Sequence, residues 1–299
     1  MGREPIITVI GSINMDLVVS VDRKPNRGET VKGESFDTLP GGKGANQAIA
    51  LSRLGATVNM VGMVGDDAFG YELKSNLEKE NVQVEAVGVT EGISTGVAVI
   101  TIAENDNSIA VVSGANEKVT PAYIREYEKI IKQSDIVLTQ FEVPISTVEE
   151  AAMICEKHGI PIVLNPAPFE KLSDSLLDKV TYLTPNQHEY ELIKGYKRYF
   201  ENDYQSKLII TKGEVGAVFF ENEKPQIVSA FTVQPIDTTG AGDTFNSAFT
   251  YMMTKTNNIE EACRFSNAAA ALSVLKKGAQ LGMPTKEEVN SFLSEQQSE

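Results

Sequence analysis

Residue types that serve metal centres and acyl transfer are scarce in this sequence. The 299 residues include two histidines, two cysteines and no tryptophan. Two histidines supply little material for a zinc site or for a Ser-His-Asp triad. Both cysteines, Cys155 and Cys263, stand among apolar residues in segments of helical periodicity, which favours buried, reduced thiols over a disulfide. Reduced thiols fit a cytoplasmic location.

Long apolar runs and an excess of basic residues are also missing. The first twenty-one residues, MGREPIITVIGSINMDLVVSV, contain no apolar run long enough for a signal peptide or a membrane span. The 41 acidic residues outnumber the 27 basic ones, which gives a formal net charge of −14. Because no basic run offsets this charge, we expect neither a nucleic-acid partner nor a membrane partner. A polyphosphate would have to be bound through backbone amides, a few lysines and metal ions.

The stretch DTTGAGDTF, residues 237–245, carries the strongest functional signal. It leads into apolar residues at i, i+3, i+4 and i+7, namely Phe245, Ala248, Phe249 and Met252, which is the spacing of a buried helix face. A glycine-rich loop before a helix presents free backbone N–H groups and the positive end of the helix dipole, which suit a phosphate. Asp243 then stands where the anion reacts. The alternative from local sequence is that Asp243 only caps the helix.

Polar residues follow several apolar runs that read as strands. PIITVIGS leads to Asn14 and Asp16, and later runs end at Glu142, Asn165 and Asn186. Strand-like runs recur from TVNMVGMVG to KLIITKG and GAVFFE, and amphipathic helices separate the earlier ones, which predicts right-handed crossovers and a parallel core sheet. Ligands of such sheets bind beyond the carboxyl ends of the strands. We therefore expect these polar residues to outline one long cleft, although one end of any strand is polar by necessity.

The segment GGKGANQA, residues 41–48, is a second glycine-rich motif. Its glycines allow the backbone to approach a polar ligand, and Lys43 supplies one positive charge. Ala48, Leu51 and Leu54 then mark one face of a helix that stops at Gly55. This is not a Walker A loop, because Gly44 rather than Ser or Thr follows the lysine. The alternative is a plain turn before a helix.

Two insertions have a different pattern. Residues 17–39 and 96–115 consist of short alternating stretches, such as DLVVSV and GVAVITIA, separated by turn residues. These predict antiparallel strands set apart from the parallel core. Together they would form a small sheet over the cleft, with an exposed apolar face that usually needs a partner surface.

These motifs together resemble the ribokinase-like, or PfkB, carbohydrate kinases. GSINMD, GGKGAN, NPAP, TPNQHE, TKGEVG and DTTGAGDTF span nearly the whole chain. The resemblance implies one domain over residues 1–299, a three-layer α/β/α sandwich with a mostly parallel central sheet, and a β-sheet lid from insertions at about residues 15–40 and 95–115. It implies ATP-dependent phosphorylation of D-ribose at O5 to D-ribose 5-phosphate, and a homodimer formed through the lid sheets.

The resemblance also implies roles for individual residues. Asp243 would be the general base, valued for its position because its carboxylate is expected to be ionised at neutral pH. The anion hole would be formed by Gly240, Ala241 and Gly242. The sugar site would be lined by Asn14, Asp16, Gly42, Lys43, Asn46, Glu142 and Asp243. The nucleotide would contact Asn186, Thr211, Lys212, Gly213, Glu214, Val215, Gly216, Gly242 and Asn267.

Two cations are implied in the same way. Glu189 would organise Mg²⁺ through its waters. A monovalent cation, K⁺, would be held by Asp237, Thr239, Ser273, Lys276, Gly278 and Gly282, of which Asp237 is the charged ligand. The family offers a side-chain oxygen where this sequence has Gly282, which leaves the strength of K⁺ activation open.

Other functions remain open at this stage. Sister sugar kinases for deoxyribose, fructose or a sugar acid would share the fold and differ in the sugar site. The sugar-side segments offer mainly Lys43 as a positive charge, which favours a neutral sugar. A non-catalytic sugar or nucleotide sensor is a rival from another class, although a sensor has no need of Asp243 as a base. A dinucleotide-dependent oxidoreductase is disfavoured because no GxGxxG follows the first strand.

Overall fold

A six-stranded parallel sheet forms the centre of the molecule. The computed structural model describes residues 3–104, 106–194 and 204–296. The strand order is β10-β9-β8-β1-β4-β5, and every neighbouring pair is parallel. These strands are β1 (Ile6–Ile10), β4 (Thr57–Gly65), β5 (Gln83–Thr90), β8 (Ile136–Gln140), β9 (Ile162–Asn165) and β10 (Tyr182–Leu183).

Helices cover both faces of this sheet, because its strands are apolar on both sides. In β8, for example, Leu138 belongs to the core on one face and Val137 to the core on the other, as the period of two requires. The first face carries α1 (Lys43–Arg53), α2 (Ala68–Lys79), α8 (Ala241–Met253), α9 (Ile259–Ser273), α10 (Ala279–Gly282) and α11 (Lys286–Glu295). The second carries α3 (Pro121–Glu126), α4 (Glu128–Lys132), α5 (Ile145–His158), α6 (Asp174–Lys179) and α7 (Gln187–Ile193).

Both thiols lie in these cores, as predicted. Cys263 is buried on the first face and Cys155 on the second, and both are free. Burial raises the pKa of each thiol to about 12. Within the described ranges, no helix is both long enough and apolar enough to cross a membrane.

Two smaller sheets flank the central one. The first, here called the outer sheet, contains β2 (Asn14–Val21), β3 (Gly33–Gly41), β6 (Gly96–Ala103) and β7 (Asp106–Val112), in the order β3-β2-β6-β7. Each hairpin is antiparallel, as expected, but β2 pairs with β6 in parallel. The predicted fold class, a three-layer α/β/α sandwich with a mostly parallel sheet and a small additional sheet, is confirmed.

The expectation of parallel pairing was wrong for the last three strands, which form a second small sheet. β11 (Ile209–Thr211), β12 (Gly216–Glu221) and β13 (Lys224–Ser229) pair antiparallel. Only a 3₁₀ turn separates β11 from β12, and a two-residue turn with positive φ at Asn222 and Glu223 joins β12 to β13. Such short connections cannot make the crossover that a parallel pair needs.

The strand order of the sheet reverses between β1 and β8, which are neighbours in the sheet. From β1 the chain adds β4 and β5 on one side, and later adds β8, β9 and β10 on the other. At such a switch point the loops after the two strands diverge and leave a crevice. Here the crevice lies between the loop after Ile10 and the residues that follow Gln140.

Helix α1 begins earlier than the sequence pattern suggests. The glycine-rich motif was expected to be a loop before the helix, but α1 starts at Lys43 with Gly42 as its N-cap. Gly42 has φ of 89°, and a Cβ there would lie 2.7 Å from the Asn14 nitrogen. Only glycine therefore allows α1 to start this close to the first residue of β2.

Candidate active site

Asp243 lies in the first turn of α8, at the crevice. The N-cap Gly240 has left-handed geometry, with φ of 78°, and a Cβ there would lie 2.8 Å from that of Ala279. Within the described residues, the Ala241 N–H donates weakly to Thr238 O at 3.3 Å, and the N–H groups of Gly240 and Gly242 have no backbone acceptor. A Cβ at Gly242 would meet open space. The helix start thus presents free donors to an anion.

The carboxylate of Asp243 is buried and held by two amides. Its Oδ2 accepts a hydrogen bond from Asn46 Nδ2 at 3.0 Å, and its Oδ1 accepts one from Gln47 Nε2 at 3.1 Å. Burial raises the pKa of Asp243; the charge of Lys43 and the two amide donors oppose this rise, and the charge of Glu142 adds to it. From the sequence we expect this carboxylate to be ionised at neutral pH, and its burial works against that ionisation.

Glu142 joins three segments at the other side of the crevice. Its Oε2 accepts hydrogen bonds from Ser12 Oγ at 2.5 Å, from Lys43 N at 3.1 Å and from Asn14 Nδ2 at 3.4 Å. One carboxylate oxygen therefore ties together the loop after β1, the start of β2 and the start of α1.

The carboxylate of Asp16 differs from that of Glu142, because it has no hydrogen-bond partner within the described ranges. Its carboxylate packs on Gly41, where a Cβ would lie 2.4 Å from Oδ2. Burial, with the charges of Glu142 and Asp243, raises the pKa of Asp16 to about 7, against the charge of Lys43. A half-buried carboxylate without a partner is an acceptor for a ligand.

Lys43 is the positive charge facing these acids. Its side chain forms no salt bridge with any part of the chain that the structure describes. Burial alone would lower the pKa of Lys43, but the charges of Asp243, Glu142, Glu189 and Asp16 raise it. The ammonium is therefore protonated and available, and it faces four carboxyl groups.

A cavity of about 820 Å³ lies beyond the N-terminus of α8. Seven of the residues predicted to contact a nucleotide line it: Thr211, Gly213, Glu214, Val215, Gly216, Gly242 and Asn267. Asn186 and Lys212 are not among its lining residues, although Asn186 bridges Thr211 at the sheet edge. The Asn267 amide donates to Val228 O at 2.9 Å and to Ser229 O at 3.1 Å, so its nitrogen is already engaged.

The residues predicted to hold a monovalent cation lie in the loop before α8, at the end of α9 and around α10. Asp237 accepts hydrogen bonds from Thr239 N at 2.9 Å, Thr239 Oγ1 at 2.7 Å and Gly278 N at 2.8 Å. Burial would raise the pKa of Asp237, but these donors outweigh it and lower the pKa. A Cβ at Gly282 would lie 2.0 Å from Ser273 O, so this backbone contact requires glycine. Lys276 lies in the loop that precedes Gly278.

Glu189 is buried rather than exposed on the helix surface. It forms a capping box with Asn186, accepting from Asn186 N at 2.8 Å and from Asn186 Nδ2 at 2.9 Å. Burial raises the pKa of Glu189, against the Asn186 bond and the charge of Lys43. Both of its carboxylate oxygens thus have a partner at the N-cap of α7.

Four further polar residues belong to the site and were not identified from the sequence: Ser12, Gln47, Asn116 and Gln280. Asn116 Nδ2 donates to Asn14 Oδ1 at 2.7 Å, and Asn116 Oδ1 accepts from Ile13 N at 2.9 Å. Gln47 lies within GGKGANQA, so its motif was visible. Asn116 and Gln280 carry no local signal, because they reach the site through the tertiary fold.

The fold and the site together define a class of protein. A parallel α/β sheet, free amides at a helix N-terminus, a buried carboxylate beside them and an adjoining cavity are the parts of a small-molecule phosphotransferase. A model of the "pfkB family carbohydrate kinase" matches residues 6–286. The chain belongs to this family.

Individual relatives are similar over almost their whole length. The ribokinase of Bacillus subtilis is 48% identical over 96% of this chain and 99% of its own. A deoxyribokinase of Salmonella typhi is 35% identical over 96% of this chain and 98% of its own. The structure of Arabidopsis thaliana ribokinase complexed with ribose and ATP has a TM-score of 0.89 and 34% identity, covering 97% of this chain and 99% of that one.

Proposed function

We propose that this chain transfers the γ-phosphoryl group of ATP to O5 of D-ribose, giving D-ribose 5-phosphate and ADP. The observation that carries the proposal is the convergence of six polar side chains at one end of the cleft, beside the start of α8. These are Asn14, Asp16, Lys43, Asn46, Glu142 and Asp243. The high identity to a ribokinase over the full length supports ribose as the sugar.

Asp243 acts as the general base. The bond from O5 to the γ-phosphorus forms as the bond from the γ-phosphorus to the bridging oxygen of ADP breaks, and the O5 proton passes to Asp243. Negative charge on the transferred group is stabilised by the N–H groups of Gly240, Ala241 and Gly242. Asp16 accepts hydrogen bonds from sugar hydroxyls, since its carboxylate has no partner of its own.

The pocket chemistry favours a neutral sugar over a phosphorylated one. Asp16, Glu142 and Asp243 contribute three carboxylates, and Lys43 is the cation among them. A phosphorylated sugar would bring its negative charge next to these three acidic groups. Vicinal hydroxyls, in contrast, find acceptors at Asp16 and donors at Asn14 and Lys43.

Mg²⁺ fits the same electrostatics. ATP must approach a cluster of carboxylates, and a divalent cation on its phosphates reduces the repulsion. Among the described residues no group of three or more acidic, histidine or cysteine side chains could hold a metal. We therefore assign Mg²⁺ to the phosphates and to waters near Glu189.

A K⁺ site fits the loop around Asp237. Asp237 is ionised, and the carbonyl oxygens of Thr239, Lys276 and Gly278 accept no hydrogen bond from the described residues. Such oxygens suit a hard monovalent cation. Ser273 adds a further carbonyl, and Gly282 adds none from a side chain, so K⁺ is held mainly by the backbone.

A homodimer in the cytoplasm completes the proposal. The face of the outer sheet that carries Asp16 also carries Ile109 and Val111, which are 56% and 53% exposed. A second copy of this face would bury both side chains. Ile109→Asp should therefore give a monomer in sedimentation equilibrium, and a wild-type protein that is monomeric at micromolar concentration would contradict the dimer.

A panel of sugars tests the function. Ribose, deoxyribose, fructose and a sugar acid are assayed with ATP and Mg²⁺, with and without K⁺. Ribose should give the highest kcat/KM, and K⁺ should raise it. A better rate with deoxyribose would overturn the assignment of the sugar, and binding of ribose and ATP without turnover would indicate a sensor.

A further inference from the structure

Two chains of side-chain amides converge on the carboxylate of Asp243. One reaches Oδ1 from the centre of the parallel sheet, and the other reaches Oδ2 from α2 and α10. Each amide in these chains donates toward Asp243, and Gln47, Gln280 and Asn46 each accept from the amide behind them. The two chains thus run in the same direction, from their remote ends to the carboxylate.

The first chain begins at Gln140, the last residue of β8. Gln140 Nε2 donates to Gln47 Oε1 at 2.6 Å, and Gln47 Nε2 donates to Asp243 Oδ1 at 3.1 Å. Gln47 Nε2 also approaches Asn165 Oδ1, at 3.4 Å. Both glutamines are fully buried, with exposures of 0%.

The orientation of the amides in this hydrogen-bonded chain leaves one acceptor unpaired. The buried Gln140 Oε1 has no hydrogen-bond partner in the part of the chain that the structure describes. If the Gln140 amide were reversed, its oxygen would face the oxygen of Gln47, and Gln47 could then turn only by withdrawing its N–H from Asp243. The orientation of both amides is therefore set by the carboxylate, at the expense of an unpaired acceptor.

The second chain begins at Asn76 in α2. Asn76 Nδ2 donates to Gln280 Oε1 at 2.9 Å, Gln280 Nε2 donates to Asn46 Oδ1 at 3.0 Å, and Asn46 Nδ2 donates to Asp243 Oδ2 at 3.0 Å. Because Gln280 occupies the oxygen of Asn46, only the Asn46 nitrogen can face Asp243. Gln280 thus decides which end of the Asn46 amide meets the base.

We propose that Gln47 and Gln280 are positioning residues that hold the Asp243 carboxylate ionised and aimed at the substrate hydroxyl. The role of Asp243 as base rests on the proposed function. An amide that donates to a carboxylate favours its charged form, and two amides on opposite oxygens also restrict its rotation. These effects do not require either glutamine to contact the sugar or the nucleotide.

The variants Gln47→Met and Gln280→Met remove one donor each at nearly constant volume. The charged groups that face Asp243 are Lys43, Glu142 and Asp16, and both variants keep them. At saturating ribose and ATP, the acidic limb of the kcat profile should move to higher pH by about one unit for Gln47→Met and by less for Gln280→Met. On that limb kcat falls about tenfold for Gln47→Met, and it recovers toward the wild-type value at high pH.

Thr8→Val is the matched control. Thr8 is buried and shares a hydrogen bond of 2.7 Å with Ser134 Oγ at the opposite end of the sheet. This variant loses a buried hydrogen bond without touching the crevice, so its pH profile should match the wild type. A drop in kcat that is equal at all pH values in Gln47→Met would show a merely structural role and overturn the proposal.

A titration without substrate separates this inference from the proposed function. The side-chain carboxyl of Asp243 is followed by ¹³C NMR in the unliganded protein, with Asp243→Asn identifying its signal. Its titration should move to higher pH in Gln47→Met and Gln280→Met and stay unchanged in Thr8→Val. An unchanged midpoint in both glutamine variants would overturn the network, whereas a wild-type protein that phosphorylates no sugar would overturn only the function.

Discussion

The two ends of the cleft are lined by different kinds of residue. The sugar end consists of buried and half-buried polar side chains, such as Asn14, Glu142 and Asp243, which are held by hydrogen bonds among four chain segments. The nucleotide end is an open cavity lined by apolar side chains such as Phe231 and Ala271, together with glycine backbone. The side chains of the sugar end are thus held in place before a ligand binds. The nucleotide end provides an apolar surface and free backbone N–H groups.

The difference reflects what each substrate demands. A small polyol gives little apolar area, so it must be selected by directed donors and acceptors whose misplacement leaves buried polar groups unpaired. An adenine nucleotide brings a large flat base and a charged tail, which suit an apolar slot beside a helix N-terminus. Changes at the sugar end should therefore alter the chemical step or sugar affinity, and changes at the nucleotide end should alter the KM for ATP.

The largest effect is expected at the point where the two ends meet. Asp243→Asn keeps the size of the side chain but removes the base, so kcat should fall by about 10³-fold. Ribose affinity, measured by calorimetry, should stay within about threefold of wild type. Turnover equal to wild type would show that the proton leaves by another route.

The pH dependence of ribose binding distinguishes the two ends next. The pKa of Asp16 is raised to about 7, and its ionised form accepts stronger, charge-assisted hydrogen bonds from sugar hydroxyls than its protonated form does. As pH falls below 7, Asp16 becomes protonated, so the KM for ribose should rise by up to about tenfold per pH unit. The KM for ATP should change little, and Asp16→Asn should abolish the dependence at a uniformly weaker ribose affinity.

The raised pKa of Asp16 also affects stability. Ionisation of Asp16 favours ribose binding but destabilises the fold. An acid whose pKa is higher in the folded state destabilises the fold as pH rises from its unfolded value toward 7. Asp16→Asn should therefore raise the Tm at pH 8 and leave it nearly unchanged at pH 4, as thermal unfolding would measure. An equal rise at both pH values would show that charge is not the cause.

A smaller effect is expected at the nucleotide end. Ala271 lines the cavity and is 7% exposed. Ala271→Leu fills part of the space, so the KM for ATP should rise by about five- to tenfold while the KM for ribose stays constant. An equal change in both constants would mean that the two ends are not independent.

Much of the fold could be predicted from the sequence, because local patterns determine local structure. The face of Phe245, Ala248 and Phe249 specified the buried side of α8, and these residues are 4% exposed or less. The apolar runs of β1, β4 and β8 marked strands buried on both faces. The pattern did not distinguish parallel from antiparallel pairing for β12, because that depends on a connection too short for a crossover.

For the candidate site, the sequence by itself determined which chemical groups are present and that they follow strand ends and helix starts. Tertiary structure alone decided the burial, the pKa and the hydrogen-bond partners of these groups. The burial of Asp243 and Glu189, the unpaired carboxylate of Asp16, and the reach of Gln280 to Asn46 across 234 positions arise from contacts between distant segments. The physical reason is that a motif fixes a local backbone shape, whereas a pKa and a hydrogen-bond direction depend on everything packed around the group.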